Sequence, residues 1–255
     1  MDSSGGSKIA KDGFNNEKDI ANKFINWKND DEAKYWLKTM GYDLKEIEYV
    51  YAEVIHGYKT DVQVQVTIKL KKIIEAQNLQ IKLVSNDKGF NQIDKRWIKN
   101  YKEMWDIPEN IVKLLQYFTG ELPPYRKDTK DSRRMFMNEF TEDEQNQLVK
   151  FFEDNKALII LDIVKGRGIL AAEWILVAKK TAVESIWTLK PINVAINHYS
   201  EGNVEITNRG SMKIGRITMQ RKGGDAGRDT AKMLQFKVDP TELFNVNWSY
   251  SIYQR

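Results

Sequence analysis

Two nearby stretches of strict period-two hydrophobicity constrain this chain more than any other feature. In Asp61–Ile68, the residues Val62, Val64, Val66 and Ile68 alternate with Asp61, Gln63, Gln65 and Thr67; in Leu79–Val84, the residues Leu79, Ile81 and Leu83 alternate with Gln80 and Lys82. A repeat of two sends successive side chains to opposite faces, so each stretch reads as a half-buried strand. Ile47, Tyr49 and Tyr51 begin an earlier strand, and Glu173–Lys179, Ile214–Lys222 and Leu234–Val238 read as later ones. The apolar run Ala157–Val164 is also strand-like. Helical spacing dominates elsewhere: residues 14–26 (Phe14, Ile20, Phe24 and Ile25 on one face, Asp12 as cap), Asp31–Met40 stopped by Gly41, and Gln92–Trp105 with Ile93, Trp97 and Tyr101 as its stripe. Ile107–Lys156 reads as interrupted helix, broken at Leu122-Pro123-Pro124-Tyr125 and restarted by a capping box at Thr141-x-x-Glu144. These elements predict a mixed α/β fold of α+β character. They suit one domain over residues 1–255, divisible into lobes of about 1–105 and 106–255.

Composition narrows the chemistry. The chain has no cysteine, which removes disulfide scaffolds, thiolate zinc sites and cysteine nucleophiles, and its two histidines, His56 and His198, cannot build a histidine metal cluster. No apolar run reaches the 18 or so residues that a membrane helix needs, and the polar start from Met1 to Phe14 carries no leader-like apolar core, so a soluble cytoplasmic protein is expected. Between Arg209 and Lys237 stand eight basic and two acidic residues, a net +6, whereas the other 226 residues carry 32 basic and 34 acidic. Charge concentrated in one segment suits a polyanion surface. A solvated basic face is the alternative for charge alone.

Asp61, Gln80 and Lys82 form the one constellation with a chemical logic. Gln80 and Lys82, two apart, project from the same face of their strand, and Asp61 opens the preceding one after Gly57-Tyr58-Lys59-Thr60. If the two strands pair, a carboxylate, a carboxamide oxygen and an ammonium meet at a sheet edge. Oxygen ligands of that kind suit Mg²⁺, which keeps several waters, and a neighbouring ammonium can orient the attacking water or steady a pentavalent phosphorus. On spacing alone, three polar residues on a solvated sheet face remain the alternative.

The trio matches the PD-(D/E)-x-K pattern with glutamine at the usual acidic place. Through that variant the chain resembles the small type II restriction endonucleases that cut four-base sites, and most closely their GCGC-cutting Haemophilus branch. The stretches that carry the resemblance include Asn16-Glu17-Lys18-Asp19-Ile20-Ala21, Gln80-Ile81-Lys82-Leu83-Val84-Ser85-Asn86, Gly89-Phe90-Asn91-Gln92-Ile93-Asp94-Lys95, Phe118-Thr119-Gly120-Glu121-Leu122-Pro123-Pro124-Tyr125 and Gln220-Arg221-Lys222-Gly223-Gly224-Asp225. In order and spacing they run from residue 8 to about 244; the tail from 245 to 255 lies outside. The resemblance implies a restriction-endonuclease-like mixed sheet flanked by helices and Mg²⁺-dependent hydrolysis of double-stranded DNA at GCGC. It makes Asp61, Gln80 and Lys82 catalytic, with Asp61, Gln80, the main-chain carbonyl of Ile81 and Glu17 toward the metal. Three residues from both Phe14 and Ile20, Glu17 can border the buried stripe of its helix, and a surface glutamate is the preferred reading on spacing alone. A non-catalytic DNA-binding module and a less specific nuclease or nickase of the same fold are the rivals, because glutamine in the acidic place weakens the metal site by one charge.

Guanine edges offer acceptors to Arg, Lys or Gln, and cytosine N4 offers a donor to a carboxylate. Gln220, Arg221, Lys222 and Arg228 supply donors and Asp225 an acceptor, with Arg209 and Lys213 alongside. The resemblance also implies that the loop of Phe90, Asn91 and Gln92 enters the minor groove with Phe90 as wedge; the alternative is a core Phe90 packed with Trp97. A cognate cytosine methyltransferase is the implied genetic partner, and a monomer or weak dimer the expected state.

Overall fold

A computed structural model describes residues 3–55, 63–71, 73–86, 89–224 and 227–248, with only the backbone of 3–11 and 63. It is a mixed α/β structure of two sheets and seven α-helices among the described residues. The chain forms two compact units, residues 1–89, 165–195 and 239–255 in one, residues 90–164 and 196–238 in the other. No described helix is long and apolar enough to cross a membrane.

The first unit holds α1 (Ser3–Ile25), α2 (Asp31–Thr39) and a mixed five-stranded sheet of β1 (Ile47–Ile55), β2 (Gln63–Leu70), β3 (Ile74–Val84), β5 (Trp174–Lys180) and β6 (Ser185–Pro191), in the order β1-β2-β3-β5-β6. β1, β2 and β3 form an antiparallel meander, β3 runs parallel to β5, and β6 returns antiparallel. The alternation in β2 does what it predicts: Val64, Val66 and Ile68 join Leu79 and Ile81 of β3 in one core with Ile20 and Phe24 of α1 and Trp36 and Leu37 of α2. Phe24 and Trp36 pack with ring centroids 5.3 Å apart. α2 starts on Asp30, whose carboxylate accepts the Ala33 N–H at 2.9 Å, and ends before Gly41, left-handed at φ +93°. α1 starts well before residue 14, so Asp12 lies inside the helix rather than at its cap.

β3 is held in register by polar contacts as well as by apolar packing. The Glu173 carboxylate accepts the Asn78 N–H at 2.8 Å; the Asn78 side chain donates to the carbonyls of Ile169 at 2.9 Å and Ala171 at 3.2 Å and accepts from Gln65 at 3.0 Å. A parallel pair needs a long crossover, and here Asn78 ties β3 directly to the segment entering β5. Asn78 shares its strand face with Gln80 and Lys82.

The second unit is an all-antiparallel sheet, order β4-β10-β9-β8-β7, of β4 (Asn91–Arg96), β7 (Val204–Ile206), β8 (Met212–Ile214), β9 (Ile217–Arg221) and β10 (Leu234–Val238). With it go α3 (Ile98–Trp105), α4 (Glu109–Thr119), α5 (Glu142–Asp154) and α6 (Lys156–Lys165), while α7 (Ile192–Ser200) spans the junction at residues 195 and 196. Tyr101 stacks on Trp105 at 4.7 Å and both meet the edge of Phe236. Buried Asp94 accepts the Tyr101 hydroxyl, and burial, then the Asp94 charge, push that phenol well above its ordinary range. The capping box of Thr141 and Glu144 opens α5.

Three expectations need correction. Gln92–Trp105 is not one helix: residues 91–96 pair with β10 and the helix begins at Ile98, since an available sheet edge outweighs weak local propensity. Ala157–Val164 is helix α6; Ile159, Ile160, Ile163 and Val164 are buried at helical spacing, and Asp162 inside the run accepts the Trp105 indole N–H at 2.9 Å. Ile214–Lys222 is a hairpin, turned at Gly215 (φ +59°), where an added Cβ would come within 2.5 Å of the Tyr199 carbonyl. Arg216 therefore leaves the face of Thr218 and bonds Glu201 at 2.6 Å.

Asn78→Ala should cost about 1–3 kcal/mol of unfolding free energy, because it leaves buried partners unmatched. Denaturant unfolding checks this; a loss indistinguishable from that of an exposed Asn→Ala control such as Asn146→Ala contradicts it.

Candidate active site and DNA interface

β3 lies at the middle of its sheet, so its polar face is covered. Gln80 is 3% and Lys82 5% exposed. On β5 their register partners are Ile175 and Val177, both buried, so apolar neighbours cover the Lys82 stem. On β2 the partner of Gln80 is Gln63, two residues after Asp61 in sequence. Asp61 lies outside the described residues. The side chain of Ile81 joins the core on the opposite face. Glu17 is 8% exposed, which corrects the surface expectation: it lies beside the buried Asn16 on α1, the helix packed against β1, β2 and β3. Burying a lysine and a carboxamide two residues apart is costly unless each is hydrogen-bonded or paired. Among the described residues no three His, Asp or Glu gather as a metal cluster. The Gln80 carboxamide on β3 and the Glu17 carboxylate on α1 are both buried oxygen donors of the kind that suits a hard divalent cation.

In the second unit, strand alternation sorts the predicted binding residues. Lys213, Thr218 and Lys237 lie directly opposite one another across β8, β9 and β10, and Gln220 is two residues beyond Thr218 on the same face. With Phe90 and Arg209 they line an open cleft of about 710 Å³. Burial pushes the Lys237 ammonium below its ordinary range. Phe90 is 64% exposed, which removes the core reading; Asn91 and Gln92 begin β4, with Gln92 opposite Lys237. Arg221 faces the other way, into a second cleft of about 680 Å³ that Arg228 also lines. Lys222 follows β9, its N–H bonded to the Met233 carbonyl at 2.8 Å. Asp225 lies outside the described residues.

Lys237, Arg133 and Arg134 were not singled out as site residues from sequence. Lys237 carries a readable signal, its place in the basic segment; Arg133 and Arg134 lie far upstream and meet Arg221 only in the fold. Their turn is seated on Gly120, where an added Cβ would come within 2.7 Å of the Arg133 carbonyl at a left-handed φ of +81°. Asp131 pairs with Arg133 through two bonds of 2.9 and 3.0 Å, and this hydrogen bonding lowers its carboxyl to about 2.

The fold matches that of restriction endonuclease MspI, solved in complex with its cognate DNA: TM-score 0.60, 18% identity, and 88% of each chain covered. That likeness shows that the two chains share a fold. Residues 40–244 match the model of the R.HinP1I restriction endonuclease family, and the chain belongs to that family and is a type II, site-specific DNA-cleaving enzyme. No curated protein sequence is similar to it at a significant level.

A carboxyl held down by its partner stabilises the fold above its unfolded pKa, and that contribution fades as the pH falls through the folded one. The Asp131 carboxyl should therefore titrate near 2 by carboxyl-detected NMR. In Arg133→Gln it should return toward the ordinary 3.8. An Asp131 that already titrates at the ordinary value in the wild type contradicts the pairing.

Proposed function

We propose that the chain hydrolyses double-stranded DNA at GCGC, between the first G and the following C, in a Mg²⁺-dependent reaction that leaves 5′-phosphate and 3′-hydroxyl ends. The observation that carries the catalytic half is the burial of Gln80 and Lys82 side by side on the central strand β3. Asp61, the Gln80 side-chain oxygen, the Ile81 main-chain carbonyl and Glu17 are the groups that would hold Mg²⁺. When bound, that ion supplies Lewis-acid activation of water and charge neutralisation at phosphorus. Lys82 orients the attacking water and donates to the non-bridging phosphate oxygens as charge gathers on them. Water attacks phosphorus and gives up one proton to solvent as the bond to the 3′ oxygen breaks, and the departing 3′ oxygen takes one proton from solvent to become the hydroxyl.

Recognition falls to the second unit. Gln220, Arg209, Lys213 and Lys237 surround one cleft and match guanine N7 and O6, while Lys222 and Arg228 extend the basic surface. Asp225 is the candidate acceptor for cytosine N4. Phe90, exposed and lining the first cleft just before Asn91 and Gln92 open β4, supports the wedge reading at the central step. MspI was solved with its cognate DNA bound, and duplex DNA is the partner proposed here. A cytosine methyltransferase acting on GCGC would protect the host. A monomer or weak dimer in the cytoplasm would suffice, with the unit of residues 1–89, 165–195 and 239–255 broadly catalytic and that of 90–164 and 196–238 broadly for recognition.

A duplex with one GCGC site should be cut in Mg²⁺ and a scrambled duplex left whole. EDTA should abolish cutting without unfolding the protein, and Lys82→Ala should lower the rate by roughly 10²–10³ while site binding persists. Binding of the GCGC duplex with no cutting in any divalent metal would favour the binding-module reading. Equal cutting of both duplexes would favour a nuclease of relaxed specificity.

A further inference from the structure

Among the described residues, the second cleft is lined by more cationic than acidic side chains. Arg134 lies over Phe136, its guanidinium carbon 4.0 Å from the ring centroid, with Phe118 at 5.7 Å. Stacking of this kind fixes the plane of the fork and leaves its edge to act. Arg221, at the end of β9, comes close enough to set the electrostatics of Arg134: after burial, its positive charge is the next largest influence lowering that group, while burial and then Arg133 lower Arg221. Guanidinium groups stay charged under such pressure, and although Asp131 and Glu139 oppose the repulsion at Arg134, the pair of forks remains favourable ground for an added anion. The Nε atoms of both Arg134 and Arg221 are buried and meet no hydrogen-bond acceptor among the described residues. Asp131 does not fill the gap: its oxygens are taken by Arg133, and its nearest approach to Arg134 is 3.7 Å. Around the cleft stand five cationic side chains and three carboxylates. At Gly223 and Gly224 on its wall an added Cβ would meet nothing within 4 Å among the described residues, which leaves the backbone there room for an approaching ligand.

We propose that Arg134 and Arg221 form a clamp for one backbone phosphate of the bound DNA, with Arg134 held ready by Phe136 and Phe118. The proposal rests on the reading of the chain as a DNA-cleaving enzyme. It separates the two sides of β9: Gln220 faces the cleft assigned to base edges, and Arg221 grips the backbone. A phosphate presents several charged oxygens to two converging forks and takes charge-assisted bonds from both. Binding it releases condensed counterions, so the contact has a salt signature that base reading lacks.

The test is the binding of full-length protein to a GCGC duplex and to a scrambled duplex of equal length, followed by fluorescence anisotropy in EDTA across a salt series. Arg134→Gln and Arg221→Gln should each weaken both duplexes by the same factor, about tenfold, and each should reduce the slope of log K against log salt by about one. Arg134→Lys, which keeps the charge, should restore the slope but not the full affinity. The double variant should lose little more than the worse single variant, because both side chains serve one phosphate. Loss confined to the GCGC duplex would make these residues base readers and overturn the clamp, as would unchanged binding. Fully additive losses with a slope change of two would mean two separate phosphates and overturn the sharing. Should Arg134→Gln fail to fold, Arg221→Gln alone decides between uniform and site-confined loss. A wild-type protein that binds neither duplex would refute the DNA reading itself, a result distinct from all of these.

Discussion

Burial of the polar face of β3 is the constraint on which the rest depends. A central strand must satisfy or tolerate whatever it buries, and this one carries Asn78, Gln80 and Lys82 in a row. Asn78 resolves its share by bonding three neighbouring segments, and that same bonding fixes the register of β3 against β5. Register decides which face each side chain takes, since a slip of one residue exchanges the two faces. Gln80 and Lys82 are thus presented together because Leu79 and Ile81 are drawn into the core with α1 and α2.

Much of this was legible because it is local. The alternation of β2 and β3, the helix from Asp31 and its stop at Gly41, the Thr141 capping box and strand β10 are all periodicity or cap chemistry. Residues 91–96 were not legible: Ile93 and Tyr101 fit a helical stripe equally well, and only β10 as an open edge decides for a strand. Ala157–Val164 misled through composition, since a run of β-branched residues can also be one side of a buried helix; Asp162, matched to Trp105, was the clue. Glu17 lay beyond sequence reasoning because its burial depends on what covers α1. Membership of the R.HinP1I family bears out the enzyme class that the resemblance implied. The placement of Asp61 is outside what the structure describes.

The second sheet shows how one strand can serve two tasks. Alternation sends Gln220 toward Lys213, Thr218 and Lys237, while Arg221 turns to the stacked Arg134. A linear basic segment therefore reads as one feature in sequence and becomes two surfaces in the fold. The upstream half of the second surface, the turn of Asp131 to Arg134, is seated by Gly120, whose missing side chain leaves room for the Arg133 carbonyl. Nothing within residues 209–237 announces that partner.

The central claim is that this chain joins a buried lysine–glutamine site to a surface that reads GCGC. Its most direct test is digestion of long genomic DNA in Mg²⁺ followed by sequencing of every end produced. The account predicts that all ends fall within GCGC, at one fixed position and with ligatable 5′-phosphates. Ends scattered over unrelated sequences, or clustered on a different four-base site, would contradict it.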